Sequence, residues 1–139
     1  MTVVTKIIRV KTKGEDDIVN ITEQTSKAIE NSEIKNGTVT IFISGSTAAL
    51  TTIEYEPGLL SDFPKMLERV APKNIEYGHE QMWHDGNGHS HVRASLVGPS
   101  LSVPFSNRRL MLGTWQQIVL LELDTRSRER NLVLQIVGE

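Results

Sequence analysis

The chain contains no cysteine, which excludes disulfides, thiolate metal ligands and cysteine nucleophiles. Aromatic residues make up only 5% of it, but Pro and Gly are present in ordinary amounts, and nothing points to disorder or low complexity. No charge of one sign dominates: fifteen basic against seventeen acidic side chains leave a net charge of -2. Without a basic block to follow a phosphate backbone, nucleic acid is excluded as the expected partner. No apolar run approaches the length of a membrane span, and charges interrupt Met1–Arg9 before any signal-peptide core forms. A membrane partner is therefore not expected, and the expected location is cytoplasmic. Also missing are a dinucleotide glycine fingerprint, a P-loop and a nucleophile elbow.

What is present fits one domain spanning residues 1–139, long enough to bury a core without staples. Its most distinctive stretch runs from Trp83 to Ser95, where three of the four histidines fall within eight residues. From Gly88 onward the pattern alternates, with Val92, Ala94 and Leu96 on one parity and His89, His91, Arg93 and Ser95 on the other. Residues two apart share a face of a strand. This predicts two imidazoles, a guanidinium and a hydroxyl in a row on one side of a sheet. A His-x-His pair can hold one divalent ion, with His84 swinging in from the glycine-loosened loop as a third ligand. Asp85 would replace a histidine or orient one. The alternative is that these histidines are hydrogen-bonding residues of a turn and a strand end.

Elsewhere, β-branched residues predict strands at 2–11, 38–44 and 48–54, with a short one at 17–20. Helical spacing predicts a helix over 21–33, opened by Asn20 and Glu23 as a capping box. A second helix opens at Glu56-Pro57, with Pro64 splitting it and Asp62 capping the second piece. Strands follow at 101–105, at 110–123 with a bulge at Gly113, and at 128–137. Two main helices among roughly eight strands make an α+β domain, mostly antiparallel in its second half.

Arg126, Arg128 and Arg130 recur at every second residue beside Glu122, Asp124 and Glu129. On a strand they would line one face as a phosphate clamp; the alternative is pairing with those carboxylates. Ser44–Thr47 offers hydroxyls and amide hydrogens to an anion, or is a plain loop. Trp115 is read as packing, and Glu56 as a helix cap.

Taken together these segments resemble the YjbQ-like proteins, also called secondary thiamine-phosphate synthase enzymes. Ser100–Pro104 and Arg109–Ile118, with Gly113-Thr114-Trp115-Gln116 at the centre, are similar to that family's signature. Asn87, His91–Gly98, the alternating arginines and Gly138-Glu139 extend the similarity over nearly the whole chain. One departure is Gly45-Ser46-Thr47-Ala48, where many members carry His-Thr-Thr/Ser-Ala. The resemblance implies a compact two-layer β-sandwich-like fold, a homotrimer, and polar pockets where histidines gather, often around a metal. It also implies an activity like that of a transferase joining a pyrimidine pyrophosphate to a thiazole phosphate.

Pattern and resemblance together nominate Glu54, Asp85 and Asn87 for catalysis, and His84, His89 and His91 for a divalent metal, zinc or alternatively magnesium. Arg93, Ser95, Thr114, Gln116, Arg126, Arg128 and Arg130 are nominated to bind a small phosphorylated substrate. A metal-dependent hydrolase and a non-catalytic trimeric module for a small anion or metal are the alternatives.

Overall fold

The computed structural model describes residues 1–139. In chain order the elements are β1 (Thr2–Lys11), β2 (Ile18–Asn20), α1 (Thr22–Ser32), β3 (Gly37–Ile43), β4 (Ala48–Glu54), α2 (Pro57–Val70), α3 (Gly78–Trp83), α4 (Gly88–Val97), β5 (Ser100–Ser106), β6 (Arg109–Leu110), β7 (Gln116–Glu122) and β8 (Glu129–Gly138). The strands form a five-stranded sheet, β1-β8-β3-β5-β6, and a three-stranded sheet, β2-β7-β4. Every pairing is antiparallel, as expected for an α+β domain of this strand content.

The period-two pattern of each strand decides where its side chains go. Val39, Ile41, Ile43, Leu132, Leu134 and Ile136 point from the larger sheet toward the smaller one, where Ala48, Leu50, Ile118 and Leu120 meet them with Ile29 of α1. The opposite parity of the small sheet, Ala49, Val119, Leu121 and Leu123, packs on Leu67 of α2 and Ala94 of α4. Strand β7 is thus apolar on both parities because it is covered on both faces. Where β8 crosses β3, Gly37 and Gly138 are paired so closely that a Cβ on either would strike backbone of the other strand.

Several expectations are corrected. Residues 88–97 form a helix, not a strand: His89, Ser90, Arg93 and Ala94 are buried while Val92 and Leu96 are exposed. That is a helical spacing with inverted polarity, and it holds because acidic groups meet the buried His89 and Arg93. The long strand at 110–123 is two strands. Between them the chain folds back at Gly113, whose N–H donates to Gln116 Oε1 at 3.0 Å and whose carbonyl accepts from Gln116 N at 3.1 Å. Helix α2 runs unbroken through Pro64, with Asp62 in its interior rather than at a cap. Leu60, Phe63, Met66 and Leu67 bury its inner face against the small sheet, which offsets the roughly 3 kcal/mol that an interior proline costs. At its start Glu56 accepts from the N–H groups of Gly58 and Leu59, as expected of a cap. Helix α1 has Ile21 at its N-cap and no capping box; Asn20 Oδ1 accepts from Thr22 N at 3.0 Å instead. No helix is long and apolar enough to cross a membrane.

Candidate functional site

Parity carries a charged pair into the sandwich. Arg130 continues the inward row of Leu132, Leu134 and Ile136, and Glu122 continues that of Ile118 and Leu120. They meet at one end of the core, where Arg130 Nε donates to Glu122 Oε1 at 2.9 Å and Nη2 donates to Glu122 Oε2 and to Thr47 Oγ1. Thr12 donates to the same carboxylate at 2.7 Å. Both ions are almost wholly buried, and this pairing is what makes that tolerable.

Above this floor opens a polar groove of about 270 Å³, lined by the Ser44–Thr47 loop, by Asn87 and His91, and by Asp124 with residues 128–131 of the turn into β8. No apolar side chain lines it. Asp124 accepts from Thr47 Oγ1 at 3.0 Å and from Arg128 Nη1 at 3.0 Å. Burial pushes its carboxyl up, but the Thr125 N–H, the Thr47 hydroxyl and the Arg128 charge outweigh that and hold it below the ordinary aspartate value.

At the groove's other rim, α3 and the start of α4 bring a second cluster together. His79 Nε2 lies 3.1 Å from Asp85 Oδ1, and Glu80 offers a carboxylate oxygen within 4.8 Å of both. The His91 ring packs against His79 with centroids 4.3 Å apart. Asn87 stands between the two halves of the site. In one amide orientation its nitrogen donates to Asp124 at 3.4 Å; in the other it donates to Asp85 Oδ1 at 2.7 Å and His79 Nε2 at 3.0 Å, which satisfies more partners. The arrangement is possible because Gly88 opens α4: its N–H donates to Glu80 Oε1 at 2.7 Å, fixing α3 against α4.

The nominated residues fare differently. Asp85, Asn87, His91, Arg128 and Arg130 all lie in this region. His84, at the left-handed C-cap of α3 with φ 56°, instead lines a neighbouring cavity with Ile75 and Tyr77, and the three nominated histidines do not converge. His89 is buried against Glu15, with Nε2 to Oε1 at 2.5 Å. Arg93 is fully buried: Nη2 donates to Glu68 at 2.6 Å, Nε to the Ala71 carbonyl at 3.0 Å, and Asp16 lies 3.7 Å away. The strand that was to display His89, Arg93 and Ser95 in one row is a helix, so they point in different directions; Ser95 is exposed beside Ala48 and Pro99. Glu54 ends β4 opposite Gln116, whose Nε2 donates to Thr52, and Thr114 sits on the exposed turn before β7. Arg126 is exposed in the β7–β8 turn, outside any strand, so the three alternating arginines do not share a face.

Sequence reasoning missed His79 and Glu80. They precede the histidine-rich stretch in a segment with no clear periodicity, and their spacing to Asp85 reads as nothing until α3 turns back on α4.

The comparisons with known proteins agree with this architecture. A family model described as UPF0047 protein YjbQ-like matches residues 6–139. A UPF0047 protein of Methanothermobacter thermautotrophicus is 38% identical over 139 residues, covering all of this chain and 95% of its own. UPF0047 protein YugU of Bacillus subtilis is 31% identical over 135 residues, covering 96% of this chain and 98% of its own. Among solved structures, a YbjQ-like protein of unknown function from Sulfolobus solfataricus superposes with a TM-score of 0.92 at 34% identity, covering 99% of each chain. With the family model matching nearly the full length and relatives this similar, the chain belongs to the UPF0047, YjbQ-like family.

Proposed function

We propose that this protein is an enzyme acting on small phosphorylated substrates, with a divalent ion held by His79, Glu80 and Asp85 at the rim of the polar groove. The donor set fits: one imidazole and two carboxylates within 4.8 Å suit zinc, while magnesium, which prefers oxygen ligands throughout, is the alternative. The observation that carries the reading is this donor set standing beside a groove lined only by polar residues, and the groove's charge balance says why a cation is needed. Both groove guanidiniums are already neutralised, Arg130 by Glu122 and Arg128 by Asp124, and Glu129 adds a further negative charge. A phosphoryl group therefore finds its countercharge only where a cation accompanies it.

When bound, such an ion supplies charge neutralisation and Lewis acidity to phosphoryl oxygens. The chain's own groups do the rest. Asn87 stands beside the His79–Asp85 pair with its amide free to turn toward the groove, and the serine hydroxyls of the 44–47 loop give the substrate donors. His91, half-buried between His79 and the groove, is placed to hold or give a proton at the leaving oxygen. With no apolar lining to exclude water, the groove favours hydrolysis. Coupling of two phosphorylated partners, as in thiamine-phosphate synthesis, is the second reading. It is favoured by the adjoining cavity at Ile75 and Tyr77, which would seat a ring.

Self-association as a homotrimer belongs to the same proposal, supported by Val3, Ile7 and Phe42 exposed on the outer face of the large sheet. So does a cytoplasmic site of action, where small phosphorylated molecules are retained by their charge. The test is elemental analysis beside phosphate release from a pyrophosphate ester, with and without a second substrate. Near-stoichiometric metal that is lost in His79→Ala and Asp85→Asn but kept in His84→Ala, with turnover following the metal, is the expected result. A wild type that takes up no ion and turns over nothing overturns the proposal.

A further inference from the structure

The buried Arg130 has one nitrogen that its partners leave unused. Nε and Nη2 are engaged by Glu122 and Thr47, while Nη1 makes no hydrogen bond within the protein. The side chain as a whole is 3% exposed, yet it lines the polar groove, so the groove reaches it through a narrow opening.

That opening is made by Gly45. The residue sits in the β3–β4 loop at φ +138°, a conformation L side chains rarely adopt. A Cβ built there would come 3.1 Å from Arg130 Nη1, and it would meet no other heavy atom within 4 Å. The backbone conformation calls for glycine here although no crowding does, and the missing Cβ also leaves Nη1 uncovered.

We propose that Gly45 is a specificity-determining residue: its bare Cα exposes Arg130 Nη1 as the donor that receives a terminal phosphoryl oxygen of the substrate. The inference rests on the reading of the groove as a phosphoryl site and deepens it. A guanidinium N–H donating to an oxyanion is short, strong and directional. Here the guanidinium is held on two other sides, so binding costs it little rotamer freedom. Because Glu122 already balances its charge, Nη1 supplies geometry rather than net countercharge. It discriminates a compact, freely ending phosphoryl group from a bridged diester, whose substituent would collide with the loop at residues 44–46.

The experiment follows the Arg130 guanidinium ¹⁵N–¹H resonances of the zinc-loaded protein during titration with inorganic phosphate, beside Gly45→Ala and Arg130→Lys. The expected result is a saturable shift of Arg130 in the wild type. Affinity should fall tenfold or more in both variants, with metal content unchanged. Phosphate that binds and perturbs His79 but leaves Arg130 unmoved overturns this inference alone. Loss in Gly45→Ala without loss in Arg130→Lys also overturns it, since that loss comes from strain at the positive φ. A wild type that binds no phosphate defeats the inference together with the reading beneath it.

Discussion

His89 Nε2 lies 2.5 Å from Glu15 Oε1, so the β1–β2 turn is fastened to the first turn of α4 by a buried imidazole. Only two residues along, His91 faces the groove, roughly 200° further round the helix at 100° per residue. Lys73 pairs with the same glutamate, and Arg93 one helical turn later joins Asp16 and Glu68. One face of α4 is thus an anchor and another belongs to the site.

The anchor should affect stability and leave metal alone. Replacing His89 with Ala leaves the half-buried Glu15 with only Lys73, at a cost of about 1–3 kcal/mol for the lost hydrogen bond to a charged group. Urea denaturation should show the lower midpoint, and elemental analysis of the same preparation should show unchanged metal. Metal lost together with His89 would mean that this histidine, and not His79, belongs to the ligand set.

The two carboxyls of that turn respond to pH in opposite senses. Burial pushes the Glu15 carboxyl up, but hydrogen bonds and charge from Lys73 and His89 outweigh it, so its folded value is depressed. Its contribution is present above the unfolded value and is lost as pH falls through the folded one. Asp16 is raised, first by burial and then by the neighbouring Glu15 charge. It weighs against folding above its raised value and stops doing so as it protonates. Asp16→Asn, which the left-handed backbone at φ 66° accepts, should therefore stabilise the protein at neutral pH by up to about 1 kcal/mol. The gain should shrink as pH falls below the raised value. Thermal melts of both proteins across pH 4–8 check it, and a gain independent of pH would show that the Asp16 charge is not its source.

Strands were legible in the sequence where one rule governed them. In β1 and β8 the alternation of side chains coincides with the alternation of burial, and in β7 a continuous apolar run announces coverage on both faces; β3 carries an equally apolar run but is covered on one face only, with Phe42 exposed on the outer side of its sheet. Helix α4 was not, because its polarity pattern alternates by two while its burial follows the helix. The buried His89 and Arg93 owe their places to Glu15, Asp16 and Glu68, which come from the β1–β2 turn and from α2. No local pattern carries that information. The site was half legible for the same reason. Asn87, His91 and the arginines stood out by composition, while His79 and Glu80 acquire meaning only when Gly88 seats α3 on α4.

That contact gives the last prediction. By helix propensity alone, Gly88→Ala should stabilise α4 by roughly 0.5–1 kcal/mol. The geometry reverses the sign. A Cβ at this position would come 2.5 Å from the Cβ of Tyr77 and would also collide with the Glu80 carboxylate that accepts the Gly88 N–H. The glutamate's far end can swing away, but Tyr77 Cβ is held close to the backbone, with the tyrosine hydroxyl bonded to the Pro72 carbonyl at 2.6 Å. Helix α3 must therefore shift off α4 and carry His79 and Glu80 with it. Overpacking of this kind costs about 1–3 kcal/mol, more than the propensity gain. A lowered melting temperature and weaker zinc uptake in a chelator competition are the expected outcome. A more stable variant with unchanged zinc affinity would show that α3 does not position the ligands.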